Sequence, residues 1–314
     1  TVILLPGSYS GTIAPSTSGT STNRIRYVGR LSNPGSVAVG NVSLTKSFVT
    51  VMGVKSSSGA GINYPAQYDS VAFCTLGYVR FGGGKYSMLS NCTINGQLHF
   101  AANGGLACYD HGVFDPNCVA PAEQDTVRRS TINLGAVYPG DRAMTFHGHV
   151  QSCVIDSNLI SASLTSGGST PTESGIVMAS YNSYYQTFRD NRWTVEANAD
   201  HPADTWRVIT LRDSTHDYLF ERDTLYSGLA SNRAIHVQIA NSGNFAGTVR
   251  DNRWNGCFYK FASGRVESQD LWIGSTIPDV EAVEHLRALG VEVVSAAPGW
   301  ETPAGAITAL RSVL

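Results

Sequence analysis

The stretch FRDNRW at residues 188–193 returns almost unchanged as VRDNRW at residues 249–254. The two copies lie about sixty residues apart in a chain that is not of low complexity. Recurrence on this scale indicates a fold built from structural repeats, and a missed repeat misassigns the whole architecture. The repeat is therefore the feature that decides the fold.

A weaker form of the same pattern runs along the chain. It consists of an apolar residue, a small or amide residue three places on, and a second apolar residue two places further. The copies are Val49-Met52-Val54, Val71-Cys74-Leu76, Leu89-Cys92-Ile94, Val127-Ser130-Ile132, Val150-Cys153-Ile155, Phe188-Asn191-Trp193, Phe220-Asp223-Leu225 and Val249-Asn252-Trp254. A period of roughly 20 to 30 residues with variable inserts is typical of a solenoid.

The repeat unit is predicted to be a coil of short strands. Residues 25–275 show short alternating apolar runs broken by Gly, Asn, Ser and Asp, and no long segment with a helical period. Two apolar positions an odd number of residues apart cannot share one side of a straight strand, so the chain must bend between them. We expect Asn191 and Asn252 at that bend, because Asn tolerates left-handed backbone and stacked amides can bond from coil to coil.

The cysteines fall into two groups. Cys74, Cys92 and Cys153 hold the middle position of their repeats, which predicts one column of buried small side chains. Cys108 and Cys118 bracket an insert with Asp-Pro-Asn turn chemistry, so a disulfide that closes this loop is one prediction for them.

The amino-acid composition disfavours some functional classes and favours others. The formal charge of −2 and the absence of a Lys or Arg run disfavour nucleic-acid binding. No apolar run approaches the roughly 18 to 20 residues that span a bilayer. Abundant Gly, Ser, Thr and Asn with only 15% charged residues is typical of many secreted β-rich proteins. We therefore expect an extracellular protein that is secreted, displayed at a cell surface or carried on a virion.

The opening stretch, TVILLPGSYSGTIAPSTSGTSTNRIRYVGR, resembles the first coil of right-handed parallel β-helix proteins of the pectin-lyase-like superfamily. The later segments NCTI, DSNLI and DNRW resemble the coil pattern of the same superfamily. The resemblance covers roughly residues 1–275 and implies an all-β fold, a single-stranded right-handed parallel β-helix. The GHG, DPH and RxPxxR motifs of its enzymes are absent, so no specific enzyme family is matched.

Residues 276–314 break the pattern. From Ile277 the chain reads as a helix with Pro278 and Asp279 at its start, followed by a strand. An exposed solenoid end invites edge association, which favours a short α/β C-terminal cap. The alternative is an oligomerisation segment, and the assembly is predicted to be a monomer or a homotrimer.

A second set of strands supplies the candidate site. The predicted inward pairs are Leu98–Phe100, Met144–Phe146, Ile176–Met178, Ile209–Leu211 and Ile235–Val237. Alternation then predicts two outward columns, which are His99, Thr145, Val177, Thr210 and His236, and beside it Ala101, His147, Ala179, Arg212 and Gln238. Because neighbouring coils lie about 4.8 Å apart, the columns would form one continuous strip.

This strip suits an acidic polysaccharide. In β-elimination on a uronic acid, a base removes the proton beside the carboxylate while positive charge stabilises the developing anion. Arg212, His236 and His147 are predicted as catalytic groups of these types, and His99 and Gln238 as substrate-binding residues. The alternative is a polar outer face that only solvates the sheet.

Carboxylates and aromatic residues offer further candidates. Asp213 and Asp217 could serve a glycoside hydrolase, which needs two carboxyl groups, or could merely form turns. The aromatic residues predicted to stack on sugar rings, or otherwise to cover the core, are Tyr181, Tyr184, Tyr185 and Trp206. The repeated Arg-Asp pairs, Arg189-Asp190 and Arg250-Asp251, are interpreted as a charge network on a solvated face. The metal is unknown, and calcium is left open as a cofactor.

The leading hypothesis is an extracellular protein that cleaves or binds a polysaccharide along one β-helix face, as a polysaccharide lyase or a glycoside hydrolase. The alternative is a non-enzymatic adhesin or a structural, glycan-binding component like a phage tailspike.

Overall fold

The computed structural model describes the backbone of residues 1–102, 109–110, 113–114, 121–137, 142–164, 175–180, 183–197, 206–212, 217–227, 234–240, 248–250, 253–255, 258–260 and 271–273. Side chains are described for residues 1–102, 121–135, 144–163, 177, 183–194 and 217–224. The predicted C-terminal cap at 276–314 and the predicted Cys108–Cys118 loop closure lie outside the described residues, so both stay predictions.

The described chain is almost entirely β-structure, arranged as stacked coils of parallel strands. Sheet 1 takes one short strand from each coil. Its strands are Val2–Ile3, Ile25–Val28, Val49–Met52, Ser70–Ala72, Met88–Ser90, Thr126–Arg128, Val154–Asp156, Thr187–Arg189, Leu219–Glu221 and Thr248–Arg250. Each strand pairs in parallel with its counterpart one coil on, so the sheet runs along the stack.

Sheet 2 is the largest sheet and contains two runs of strands that follow one another within each coil. Run 2a comprises Lys55–Ser56, Thr75–Leu76, Thr93–Ile94, Thr131–Val137, Leu159–Leu164, Arg192–Ala197, Thr224–Ser227, Arg253–Asn255 and Leu271–Ile273. Run 2b comprises Ala60–Asn63, Val79–Gly82, Leu98–Ala101, Arg142–His147, Gly175–Ser180, Trp206–Arg212, Ala234–Ala240 and Phe258–Lys260. The long strands Gly7–Ile13 and Val37–Leu44 belong to both runs near the N-terminus.

Smaller elements complete the described structure. Sheet 3 has three two-residue strands that follow run 2b, and they are Ala122–Glu123, Val150–Gln151 and Ser183–Tyr184. Tyr109–Asp110 and Val113–Phe114 form an antiparallel pair, and Pro34–Ser36 is a single 3-10 turn. This all-β, parallel architecture confirms the expected fold class at the level of a β-helix-like stack of coils.

The core is built from the same positions repeated coil after coil. Phe81, Phe100 and Phe146 are fully buried and stack in sequence with ring centroids 4.7 Å apart in both steps. Because each coil cannot bury its apolar face alone, stacking supplies the continuous core. Cys74, Cys92 and Cys153 are buried free thiols, which confirms that they act as small core residues.

The strand pairing confirms six of the eight predicted repeat copies. These are Val71-Cys74-Leu76, Leu89-Cys92-Ile94, Val127-Ser130-Ile132, Phe188-Asn191-Trp193, Phe220-Asp223-Leu225 and Val249-Asn252-Trp254, judged by their first positions. The first and fifth copies were placed wrongly. Val51 rather than Val49 holds the pairing position, and Ile155 rather than Val150 does so in the fifth coil. Both segments carry a second apolar residue nearby, and an apolar pattern cannot choose between them.

Each coil turns at two corners where one residue has left-handed backbone. The first corner, just before each sheet 1 strand, is formed by Phe48, Tyr68, Tyr86, Gln124, Ser152, Tyr185 and Asp217. The second, just after it, is formed by Gly53, Phe73, Asn91, Arg129, Ser157, Asp190 and Arg222. The left-handed residue is therefore Asp190, one place before the predicted Asn191. The N–H of most of these residues donates to a carbonyl of the next coil, as from Asp190 to Glu221 at 3.1 Å.

In four successive coils the residue after the second corner has a buried polar side chain that accepts a hydrogen bond from the neighbouring coil, and these residues are Ser130, Asn158, Asn191 and Asp223. Asn191 Oδ1 accepts from the N–H of Asn158 at 3.0 Å, and its Nδ2 donates to the Ile155 carbonyl at 2.9 Å. The N–H of Asn191 in turn donates to Asp223 Oδ1 at 2.7 Å. This confirms the predicted stacking of amides, because the side chain one coil on satisfies a backbone donor that the corner leaves without a strand partner.

The first corner uses the same device with carboxylates. Asp69 Oδ1 accepts from the N–H of Val49 at 2.8 Å, and Asp125 Oδ1 accepts from the N–H of Ser87 at 2.8 Å. Cys153 belongs to this first-corner column, where its N–H donates to Gln186 Oε1 at 2.9 Å. The prediction that Cys153 shares a column with Cys74 and Cys92 is therefore wrong, and the misplaced fifth repeat is the cause.

Arg189 and Asp190 take part in the expected surface charge network, whereas the side chains of Arg250 and Asp251 lie outside the described residues. Arg222 donates to both carboxyl oxygens of Asp190 at 2.8 Å, and it also pairs with Glu221 at 3.0 Å. Arg189 lies 3.4 Å from Asp156 on the neighbouring coil. RDNRW thus combines an exposed charge pair, a left-handed corner, a buried amide and a core Trp193.

Removal of the Asn191 amide tests the coil-to-coil bonds. We expect Asn191→Ala to lower the free energy of unfolding by about 3 kcal/mol, because buried groups on both neighbouring coils lose their partners. Urea titration followed by circular dichroism measures the change. Thr194→Ser, an exposed change on the strand that follows Asn191, should cost less than about 0.5 kcal/mol. Equal losses in the two variants would contradict a specific role for the amide.

Asp69 gives a prediction with a defined pH dependence. Burial raises the pKa of Asp69 from 3.8 to about 7, and its second carboxyl oxygen has no hydrogen-bond partner among the described residues. The folded protein then keeps a proton that the unfolded chain loses, so this contribution to stability is full below about pH 4 and is lost as the pH rises to about 7. We expect Asp69→Asn to leave the Tm unchanged at pH 4 and to raise it by about 2 to 4 °C at pH 8.

Asp190→Asn is the control of opposite sign. Arg222 holds the pKa of Asp190 below its ordinary value, so its stabilising contribution is present at neutral pH and lost in acid. This variant should lose Tm at pH 8 rather than gain it. Scanning calorimetry across the pH range compares the two, and a gain at pH 4 for Asp69→Asn would contradict the burial argument.

Candidate functional site

Run 2b brings several of the predicted site residues into one column. Consecutive strand pairings place the following residues in register: Gly61, Arg80, His99, Thr145, Met178, Thr210, Gln238 and Lys260. We call this the His99 column. Arg80 and Lys260 were not among the predicted residues, because the strands that carry them were not recognised in the sequence.

The predicted columns need corrections of register, and Ala179, which was predicted in the column of His147, pairs with Phe146 instead. Val177 is fully buried and pairs with Met144, so it belongs to the core and not to the outward column. Gln238 pairs with Thr210 and therefore lies in the His99 column, with His236 two residues before it on the same strand. The IVMA and IHVQIA segments carry apolar residues at adjoining positions, so alternation alone does not fix their register.

The neighbouring column begins with Asn63, Gly82, Ala101, His147 and Ser180 in register. Arg212 lies on the next strand and pairs with Ala240. His147 was predicted on an exposed surface, but only 8% of it is exposed, and Thr145 is also buried. The strip is therefore accessible to solvent at Arg80 and His99, which are half-buried. It is buried at Thr145 and His147 on the next coil.

His99 is held by groups on three neighbouring positions. Its Nδ1 lies 2.7 Å from Thr145 Oγ1, and its Nε2 lies 3.2 Å from Gln97 Oε1. The Tyr78 ring packs against the imidazole with centroids 5.3 Å apart. Since the amide oxygen of Gln97 only accepts hydrogen bonds, Nε2 carries the proton and Nδ1 accepts from the Thr145 hydroxyl. The imidazole is thereby fixed in one orientation next to Arg80.

Gly82 makes room for Arg80 and Asn63. A Cβ at position 82 would lie 2.3 Å from Asn63 Oδ1 and 3.2 Å from Arg80 Nε. Neither contact is tolerable without movement, so the glycine permits the guanidinium and the amide to share this part of the sheet. A planar guanidinium beside an oriented imidazole is suited to bind a carboxylate.

A second group of polar side chains follows run 2b. We call it the edge cluster, and it consists of Lys85, Glu123, His149, Gln151 and Tyr184, all half-buried. Lys85 Nζ donates to Glu123 Oε2 at 2.6 Å. Tyr184 Oη donates to Gln151 Oε1 at 2.7 Å and lies 3.1 Å from His149 Nε2.

Burial sets the protonation of this cluster. It lowers the pKa of His149, with Glu123 acting in the opposite direction and Lys85 reinforcing the shift. It raises the pKa of Tyr184, and the nearby Glu123 and Tyr185 add to that rise. The imidazole is therefore favoured in its neutral form and the phenol in its protonated form. Such a pair can accept one proton and donate another.

The remaining predicted residues are distributed as follows. Tyr185 is 55% exposed and packs edge-on against Tyr184 with ring centroids 5.4 Å apart. Asp217 occupies a left-handed corner, which is the turn-forming position. The backbone of Trp206 lies in a run 2b strand. Tyr181 and Asp213 lie outside the described residues.

A shallow depression of about 300 Å³ lies on run 2a. Its lining residues are Asn133, Gly135, Ser161, Ala162, Ser163 and Thr194. Asn133 bonds to Asn95 at 2.9 Å and to Ser161 at 3.0 Å, so its amide already links three coils. The described lining residues offer amide and hydroxyl groups, and none of them is charged.

The described part of the chain contains neither a cluster of metal-binding side chains nor a membrane-spanning helix. No group of three or more His, Cys, Asp or Glu side chains in it is arranged to hold a metal ion. No helix in it is long and apolar enough to cross a membrane.

Comparison with known proteins gives a structural likeness without a sequence match. No protein-family model matches the chain, and no curated protein matches it. A solved structure, the crystal structure of alginate lyase from Paenibacillus sp. str. FPU-7, superposes with a TM-score of 0.54. The two share 12% identity over 84% of this chain and 91% of the other. At that identity the likeness shows a shared fold, the β-helix-like stack of parallel strands.

Proposed function

We propose that this protein is an extracellular polysaccharide-active protein, and that it binds an acidic polysaccharide along run 2b and cleaves it by β-elimination. The observation that carries the proposal is the His99 column, in which Arg80 is the register partner of the oriented His99 on the adjacent strand. Register continues the column to Thr210, Gln238 and Lys260. Successive sugars of an extended chain can meet successive coils, about 4.8 Å apart.

The residue types favour elimination over hydrolysis. Hydrolysis of a glycosidic bond needs two carboxyl groups, one on each side of the bond. In the described strands, neither run 2b column carries Asp or Glu, whereas both carry basic residues, including Arg80 and Arg212. Elimination needs positive charge to stabilise the anion that develops beside the uronate carboxylate. The likeness to an alginate lyase supports a ligand of the same general class.

The decisive experiment measures two products on a panel of polysaccharides. Pectin, alginate, glycosaminoglycans and bacterial capsules are incubated with the protein, with and without calcium. Absorbance of unsaturated uronides and the yield of reducing ends are followed together. We expect both to rise on at least one uronate polymer, and size-exclusion chromatography with light scattering then tells whether the active species is a monomer or a homotrimer.

Arg80→Ala tests the location of the site. We expect kcat/KM to fall at least tenfold, because the variant lacks the cation beside His99. Arg26→Ala is the matched control, since Arg26 is exposed on sheet 1 away from run 2b, and it should retain activity. Reducing ends without absorbance would contradict elimination. Silence in both assays, with polysaccharide still bound, would favour the adhesin or tailspike-like role.

A further inference from the structure

The depression on run 2a is a concave surface separate from the strip on run 2b. Its described lining residues lie on three strands of consecutive coils, which are Thr131–Val137, Leu159–Leu164 and Arg192–Ala197. Asn133, Ser161 and Thr194 stand in register across these strands. None of the described lining residues belongs to run 2b. A ligand bound here would therefore use a different surface from the one proposed for the acidic polysaccharide.

A β-bulge and small side chains make this surface concave. Asn133 pairs with Ser161, and Ala136 then pairs with Ser163, so the first strand holds one extra residue between the two pairs. Gly135 lies in the bulge with a φ of +69°, and a Cβ there would meet no atom within 4 Å. The backbone conformation, rather than crowding, therefore favours glycine at this position. The open space above it belongs to a depression of about 300 Å³, and bulges often lie beside functional sites.

Hydrogen bonds orient the polar groups of the lining. Ser161 Oγ donates to Asn133 Oδ1 at 3.0 Å, and Asn133 Nδ2 donates to Asn95 Oδ1 at 2.9 Å. Because a serine hydroxyl has one proton, Ser161 Oγ is left with acceptor lone pairs. Thr194 is its register partner on the next coil, and the Thr194 hydroxyl makes no hydrogen bond with the described residues. The depression thus presents an acceptor at Ser161 beside a hydroxyl at Thr194 that can donate or accept.

The chemistry of the lining selects an uncharged ligand rich in hydroxyl groups. No described lining residue is charged, so a carboxylate or an ammonium group would lose hydration without gaining an opposite charge. Sugar hydroxyls both donate and accept, which complements the amide and hydroxyl groups of Asn133, Ser161 and Thr194. Leu159 stands two residues before Ser161 on the same outer face, is 55% exposed and offers apolar surface to the C–H groups of a sugar ring.

We propose that the depression on run 2a is a second carbohydrate-binding site and that its ligand is a neutral sugar residue of a glycan. Its volume lies at the lower end of the range for ligand sites, which suits a short stretch of sugar rather than a long chain. Binding here does not depend on the proposed cleavage of a uronate polymer, because the two surfaces share no described residue.

Isothermal titration calorimetry with the full chain tests the site. The probes are neutral oligosaccharides of glucose, mannose, galactose, xylose and N-acetylglucosamine, and an oligogalacturonate is the acidic counterpart. We expect at least one neutral probe to bind. Its Kd should change less than about twofold between low and high salt, because no charged group contributes to the binding.

Substitutions in the lining locate the bound sugar. Ser161→Ala combined with Thr194→Val removes both hydroxyl groups and nearly preserves the shape, so the Kd should rise at least about tenfold. Thr75→Val is the matched control, since Thr75 is a half-buried threonine on an earlier strand of run 2a outside the depression, and its Kd should stay within about twofold. Ser163→Leu fills the depression and keeps the bonds of Asn133, so it carries the test if the double variant has a lowered Tm.

The outcomes separate this site from the proposed function. Failure of the wild type to bind any neutral probe overturns the proposal. Binding that survives both the double variant and Ser163→Leu also overturns it, because the sugar then lies elsewhere on the molecule. Binding of the oligogalacturonate alone, lost in these variants, overturns the neutral class of ligand. Cleavage of a uronate polymer is measured separately by its products, so either proposal can fail while the other stands.

Discussion

The structure depends on the backbone N–H that follows each corner. A left-handed residue turns the chain there, and the next N–H no longer points along a strand ladder. A buried side chain one coil further on accepts it, as Asp69 does for Val49 and Asn191 does for Asn158. An unpaired N–H inside the core would cost about 1 to 3 kcal/mol at every coil. The two corner columns therefore hold polar side chains in much of the stack, and the other buried members include Val54, Cys74, Cys92 and Cys153.

This requirement lowers the stability of the fold where the acceptor is a carboxylate. Asn158 and Asn191 pair both ends of their amides, whereas Asp69 and Asp125 bury a second oxygen without a partner among the described residues. Burial accordingly raises the pKa of both carboxyl groups. The hydrogen bonds of the corner columns also hold neighbouring coils in register. The alignment of the outward columns on run 2b therefore depends on interactions at the corners that flank sheet 1.

The sequence predicted the architecture better than the site. RDNRW, the period of the repeats and the alternating strands were enough to predict parallel coils, and stacked amides followed from Asn191. Register failed where apolar residues crowd together, as around Val150 and Val177, because a side-chain period of two offers equivalent choices there. Arg80 was missed for a related reason, since its strand was not recognised as the partner of the His99 strand. The pairing of His149 with Tyr184 joins residues 35 positions apart, and no local pattern reports such a contact.

The difference between the corner columns and sheet 3 explains where a chemical site can arise in a repeat fold. Corner columns repeat a single task, so many of their members are interchangeable polar groups such as Ser, Asn, Asp and Gln, and Cys is also found there. A site that transfers protons needs unlike groups at contact distance, which a uniform column cannot supply. Sheet 3 is the place where register brings together Lys85, Glu123, Gln151 and Tyr184, four different side chains on consecutive coils. In such a chain the departure from the repeat, rather than the repeat itself, is the feature that points to function.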